Sequence, residues 1–366
     1  MKAWRFYGFN DMKLEDIPVP QCKPGNVVVK VLCVQPSVTE AQLARGIRTL
    51  AYEKIKRRLE TEAPVQLFGH EFCVKIVELG EGVTRFRVGD RVAARAKLPC
   101  GNCPLCTSER SHLCRKGPII GFQLPGCFSE LAMLPEIALV KVDDRISDSE
   151  AACLQSLSDS VAAVETAGIQ LGDSVAIFGQ GSMGLECMQV VRNSGAGKIF
   201  TVDVREEACQ VSKELGADIA INASTCNPVE VIQDMTEGNG TDIVFECAGG
   251  SPQQGLSGSK SLLEAIDSVR SGGKVIGVSW FGTPLQVDID LMRERSLRYL
   301  FPDISTVAHL EYTVRLVATG RVRLKPVITH VLKGIEKVPE AFEITSQKGK
   351  YKAINPAQVV ISNSNA

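Results

Sequence analysis

Four cysteines fall within one short stretch at Cys100, Cys103, Cys106 and Cys114, with the spacing C-x2-C-x2-C-x7-C. Thiolates this close in one loop suit a tetrahedral Zn²⁺. A shell filled by four sulfurs leaves no position for a substrate, so such a metal is structural. A redox pair, free thiols or an iron–sulfur cluster are rival readings of the same residues. Further along, VAIFGQGSMG carries Gly179-x-Gly181-x-x-Gly184 behind an apolar run and ahead of a helical one. In that context Gly179 permits a tight turn, Gly181 lets the backbone approach a pyrophosphate, and Gly184 allows close packing of helix on strand. Ser182 and Met183 open the helix whose N-terminus would face the phosphates. Nineteen residues beyond Gly184, Asp203 ends the run IFTVDV, where a carboxylate accepts bonds from the adenosine ribose hydroxyls and repels a 2′-phosphate. NAD is therefore expected rather than NADP. Arg205, a cation two residues on, argues the other way, because it is able to pair with a phosphate.

The elements that must position these groups divide the chain. From Asn26 onward NVVVKVLCV, EFCVKIVELG and DRVAARA read as short strands separated by Gly, Pro and charged turns. After about Ser156 apolar runs alternate with helical ones: SVAIFG, a helix from about Met183, KIFTVDV, a helix over EEACQVSKELG, DIAINA, DIVFECAGG and KVIGVSW. That alternation predicts βαβ units, a doubly wound parallel sheet and an α/β fold class. The expected domains are a mostly-β domain at 1–156, a dinucleotide-binding domain at 157–298 and a return to the first domain at 299–366. The cysteine lobe lies at about 97–116. Leu50, Ile55 and Leu59 stand at near-helical spacing among Lys and Arg in AQLARGIRTLAYEKIKRRLETEAP, which predicts one amphipathic helix ended by Pro64. Its bland role is a solvated helix with a packed inner face, and a lid or a subunit contact is the other. The last residues, SNSNA, read as a frayed tail.

At 366 residues, more than one hydrophobic core is expected. A net charge of −1 gives no electrostatic reason for nucleic acid or an anionic membrane as partner. The opening MKAWRFYGFNDMKLEDIPVP has neither the apolar core of a signal peptide nor a small-residue cleavage site, and no apolar run is long enough to span a bilayer. A cytoplasmic protein is expected. The 13 cysteines fit a metal site plus buried thiols better than a disulfide scaffold, which is normally short.

The cysteine spacing, with GHE at Gly69–Glu71, GDRV at Gly89–Val92 and the glycine motif downstream, resembles the zinc-containing medium-chain dehydrogenases over nearly the whole chain. The resemblance implies a GroES-like catalytic domain beside a Rossmann domain. It also implies a zinc-holding lobe that serves subunit contacts, and hence a homodimer or homotetramer. That family usually holds a second, catalytic zinc, which polarises the substrate oxygen. Here the match is partial. His70 is present, but the family's Cys-x-Thr/Ser-Asp reads Ser37-Val38-Thr39-Glu40, and the third ligand position is Gln155. A hydroxyl and an amide are weak ligands for zinc, so a catalytic zinc is doubtful, and a site on His70 and Glu71, with Glu40 near, is the alternative. Cys33 and Cys153 would reach ligand positions only by a change of register.

Without that metal, Thr39 matches the family's proton-passing hydroxyl, His70 is the acid or base, and Ser37 and Gln155 are substrate-binding donors. Glu71 orients His70, which is otherwise a satisfied core histidine. The expected activity is NAD-dependent hydride transfer between nicotinamide and a secondary alcohol or ketone, polyol-like or cyclic. Three alternatives stand beside it: a zinc-dependent polyol or sugar dehydrogenase on His70 and Glu71, a lyase or epimerase with transient NAD redox, and a non-catalytic NAD-binding scaffold or sensor. His112, His309 and His330 carry no motif, and His112 reads as part of the cysteine lobe.

Overall fold

The computed structural model describes residues 1–108, 110–250 and 258–362. Most of the expected SNSNA tail lies outside the described residues. The chain forms two compact units, Met1–Ser158 with Ile304–Gly320 and Ile328–Ala366, and Asp159–Asp303 with Arg321–Val327.

In the first unit a seven-stranded sheet runs in the order Val331–Lys333, Gln358–Val360, Asn26–Gln35, Glu71–Leu79, Arg91–Ala94, Leu139–Lys141, and Leu131–Pro135 also pairs with Asn26–Gln35. Strand Asn26–Gln35 is rich in β-branched residues and largely buried on both faces, which is why it reads as a continuous apolar run rather than an alternation. Beside the sheet, Phe6, Phe68, Phe128 and Phe342 form an aromatic core. Phe6 meets Phe68 edge-on at 5.0 Å between ring centres, and Phe128 lies 5.1 Å from Phe342. Asn26–Gln35 pairs antiparallel with Glu71–Leu79, with Cys33 opposite Cys73, Val34 opposite Phe72 and Gln35 opposite Glu71. This register brings the ends of two strands level, so that Ser37 and His70 both leave the same margin of the sheet.

The second unit is a six-stranded parallel sheet ordered Ile219–Asn222, Lys198–Asp203, Ser174–Phe178, Thr241–Glu246, Val269–Gly277, Arg298–Leu300. The chain starts at the centre, winds outward to one edge and then to the other, which is the doubly wound arrangement. Both the mostly-β half and the parallel-sheet half are thus present as expected.

Two features depart from the sequence expectation. The chain returns to the first unit at Ile304 rather than 299, because Arg298–Leu300 pairs with Val269–Gly277. Arg321–Val327 also stays with the second unit, where Asn193 Nδ2 donates to the Arg321 carbonyl at 2.9 Å and Gln189 Oε1 accepts from the Arg323 N–H at 2.8 Å. The single amphipathic helix expected up to Pro64 is two helices, Val38–Ala44 and Tyr52–Glu62. Gly46 and Ala51 adopt positive φ between them, which an α-helix does not tolerate. Ile55 packs into the core while Leu50 is left exposed.

Candidate active site and cofactor sites

The margin shared by Gln35 and Glu71 carries the titratable groups. Ser37 caps the helix Val38–Ala44: its Oγ accepts from the Glu40 N–H at 3.1 Å, and Glu40 Oε2 accepts from the Ser37 N–H at 3.0 Å. This reciprocal capping box turns the Glu40 side chain inward, where it is fully buried. Its other oxygen accepts from the Gly69 N–H at 2.9 Å and meets His70 Nδ1 at 2.5 Å. A carboxylate has no proton to give, so Nδ1 carries it and Nε2 is the nitrogen left for chemistry. Glu71 Oε1 stands 3.9 Å from Nε2, and Glu71 Oε2 accepts from Gln35 Nε2. Thr39, half-buried in the first turn, has no protein partner for its hydroxyl among the described residues. Gln155 is buried in the first turn of Leu154–Ala167.

The structure therefore joins Ser37, His70 and Glu71 in one constellation and adds Glu40 as the group that orients His70, the role expected of Glu71. Ser37 Oγ, expected as a substrate donor, is committed as a helix cap. Cys33 and Cys153 stay in register, as expected. Cys33 Sγ points to Gln358 Oε1 at 3.7 Å and Cys153 Sγ to Gln35 Oε1 at 3.7 Å, and burial pushes the Cys33 thiol up to about 12. Cys33 therefore offers no thiolate. What remains for a catalytic zinc is His70 and Glu71. A catalytic zinc takes three protein ligands, and among the described residues no third His, Cys, Asp or Glu groups with these two in a metal-holding cluster. The donor set does not fit a catalytic zinc.

The four lobe cysteines do fit one. Their ligand atoms lie within 4.8 Å of one another, and individual Sγ–Sγ separations are 3.9, 3.6 and 3.8 Å. The edge of a ZnS₄ tetrahedron with 2.3 Å bonds is about 3.8 Å, whereas a disulfide closes to about 2 Å. Among the described residues no other cluster of three or more such groups meets that test. The Cys100 N–H, followed by the backbone N–H groups of Lys116 and Gly117, draws the Cys114 thiol down to about 6. The Cys106 N–H likewise draws Cys103 down, while burial raises Cys106 to about 11. Leu98 N–H to the Pro118 carbonyl at 2.9 Å closes the base of the lobe. His112 sits in its short helical turn Ser111–Leu113, His309 belongs to the cap of Val307–Ala318, and His330 is half-buried.

In the second unit Gly179 has φ +89°, and a Cβ there would lie 2.5 Å from the Ala248 N. A Cβ on Gly184 would lie 1.8 Å from the Gly179 carbonyl oxygen. Gly181 is the N-cap of Ser182–Asn193 and supplies no side-chain acceptor, so the first N–H groups of the helix, those of Ser182 and Met183 among them, have no side-chain cap there. Asp203 Oδ2 accepts from the Gln180 N–H at 2.7 Å, and Oδ1 accepts from Arg205 N–H at 2.9 Å and Nε–H at 3.1 Å. Asp203 and Arg205, which the sequence sets against each other, are partners. The glycine cradle, the helix N-terminus and a fixed carboxylate at the end of the second strand fit a dinucleotide.

Residues 23–144 match the model of the alcohol dehydrogenase GroES-like domain, and 182–301 match that of the zinc-binding dehydrogenases. The L-threonine 3-dehydrogenase of Thermococcus kodakarensis is 31% identical over 94% of this chain and 93% of its own. Of solved structures, the alcohol dehydrogenase TADH from Thermus sp. ATN1 is 26% identical with a TM-score of 0.83, covering 99% of this chain and 100% of its own. The 2R,3R-butanediol dehydrogenase of Bacillus subtilis is 25% identical with a TM-score of 0.83, covering 99% of each chain.

Proposed function

The chain belongs to the zinc-containing medium-chain dehydrogenase family and is an NAD(P)-dependent oxidoreductase of the alcohol type, and on that premise we propose that it oxidises a secondary alcohol to a ketone with NAD, His70 rather than a second zinc taking the proton. The observation that carries this reading is the pairing of His70 Nδ1 with the buried Glu40, which assigns the acid–base role to the other ring nitrogen, Nε2. When bound, NAD supplies the acceptor for the hydride from the alcohol carbon. As that carbon loses hydride, His70 Nε2 takes the hydroxyl proton. Glu40 stabilises the resulting imidazolium, since a cation between carboxylates is favoured in a buried site. The Thr39 hydroxyl donates to the substrate oxygen. Ser37 holds the turn that aims Glu40, and Gln155 is a further polar group for the substrate.

Asp203 supports NAD over NADP, because its negative charge opposes a 2′-phosphate and Arg205 is already tied to it. The relatives named above act on L-threonine and 2R,3R-butanediol, and small polar secondary alcohols are the first candidates here. The proposal also includes a cytoplasmic setting, which suits 13 free cysteines. Among the described residues no helix is long and apolar enough to cross a membrane. A homodimer or homotetramer is supported by the edge strand Arg298–Leu300 and the exposed Trp280, Ile289 and Phe301 nearby in the chain.

The test is incubation with NAD and a panel of secondary alcohols, polyols and β-hydroxy amino acids, following the absorbance of NADH. Steady NADH formation with at least one supports the dehydrogenase. NAD binding without turnover on any of them would favour the internal-redox or scaffold readings.

A further inference from the structure

Gln35 plays no part in the chemistry above, yet its amide is one of the most heavily engaged side chains in the first unit. It is fully buried. Its Nε2 donates to Glu71 Oε2. Its Oε1 accepts from Asn355 Nδ2 at 2.9 Å and Gln358 Nε2 at 2.9 Å, with Cys153 Sγ at 3.7 Å. Reversing this amide would set its oxygen against a carboxylate and its NH₂ against two other NH₂ groups, so only one orientation is stable. Gln358 is held in turn, since its Nε2 also donates to the Ser149 carbonyl at 2.9 Å. Asn355 gives its NH₂ to Gln35 although its own Oδ1 is then buried without a hydrogen-bond partner. A buried acceptor left unmet is a cost. Here it accompanies an arrangement in which N–H groups point, one after another, toward Glu71, which favours that side chain as a carboxylate.

On the reading given under Proposed function, we propose that Gln35 is a positioning residue. It fixes the Glu71 carboxylate with Oε2 turned to the network and Oε1 turned to His70 Nε2, so that a negative charge faces the nitrogen that takes the proton. Asn355 and Gln358, more than 300 residues away in the chain, determine which way Gln35 points.

The test compares Gln35→Leu, Glu71→Gln, the double variant Gln35→Leu with Glu71→Gln, and the exchange Gln35→Glu with Glu71→Gln. Gln35→Leu is expected to lower kcat by roughly tenfold or more, leaving the KM for NAD unchanged. The double variant should be no worse than Glu71→Gln alone, because both remove one interaction. The exchange restores the hydrogen bond but moves the charge away from His70, so it should recover the melting temperature and not the turnover. Full kcat in Gln35→Leu, additive losses, or turnover restored by the exchange would each overturn the proposal. A crystal structure of Gln35→Leu gives a readout independent of turnover. The Glu71 carboxylate should swing from His70, and an unmoved carboxylate would overturn the proposal even for a protein without alcohol oxidation. An inactive parent protein would instead fail the functional reading.

Discussion

Glu40 Oε1 lies 2.5 Å from His70 Nδ1, across 30 residues of chain. The same oxygen accepts from the Gly69 N–H, so the carboxylate grips both the backbone and the ring of the Gly-His segment. The capping box with Ser37 holds Glu40 from the other side. A helix cap, a strand end and a histidine tautomer are thereby parts of one arrangement.

His70→Ala should lower turnover on the order of 10²-fold or more, the usual scale for a lost general base, while NAD affinity measured by calorimetry stays as it was. Glu40→Gln keeps the shape but removes the charge that steadies the imidazolium, and its turnover should fall between that of the parent protein and that of His70→Ala. Full activity in His70→Ala would remove the histidine from the chemistry.

Zinc in the lobe should govern thiol reactivity. In the zinc-loaded protein the exposed Cys226 reacts first with a thiol reagent, and buried thiols such as Cys33, pushed up to about 12, stay silent at neutral pH. Chelation should add the four lobe cysteines. An unchanged thiol count after metal removal would argue against four thiolate ligands.

The stripped lobe should also show a pH signature. Cys114 is drawn down to about 6 by the Cys100 N–H, and Cys106 is pushed up to about 11 by burial. Above about pH 6 Cys114 is thus the thiolate, and it becomes a less reactive thiol as pH falls through that value. Peptide mapping after brief alkylation at pH 7 should find label at Cys114 ahead of Cys106, and the reverse order would refute the assignment.

Gly184→Ala places a Cβ 1.8 Å from a backbone oxygen. The helix must move off the strand, which should cost about 1–3 kcal/mol of stability and most of the NAD affinity. Asp203→Ser removes the carboxylate and frees Arg205, so the ratio of kcat/KM for NADP over NAD should rise. A ratio that does not change would deny Asp203 its role in cofactor choice.

The glycine spacing and the cysteine spacing could be read directly, because each is a local pattern whose backbone geometry or ligand chemistry is nearly complete within one short segment. Strands such as Asn26–Gln35 were equally visible in their β-branched composition. The break at Gly46 and Ala51 was hidden by the apolar spacing of Leu50, Ile55 and Leu59, which continues across it. Glu40 carried a signal, as the acidic member of Ser37-Val38-Thr39-Glu40 three residues after the Ser37 that replaces the family's cysteine, but its role as the partner of His70 Nδ1 depends on a contact 30 residues away in the chain. The network of Gln35, Asn355 and Gln358 had none, since amides have no characteristic spacing and these three meet only through the pairing of Gln358–Val360 with Asn26–Gln35.

The central claim is that His70, oriented by Glu40, does the work for which the family usually employs a second zinc. The most direct check is the zinc content of the protein by mass spectrometry of the metal, measured on the same preparation that turns over a secondary alcohol with NAD. One zinc per chain, retained by the four lobe cysteines, with full turnover is the expected result. Two per chain, with turnover lost on removing the second, would contradict it.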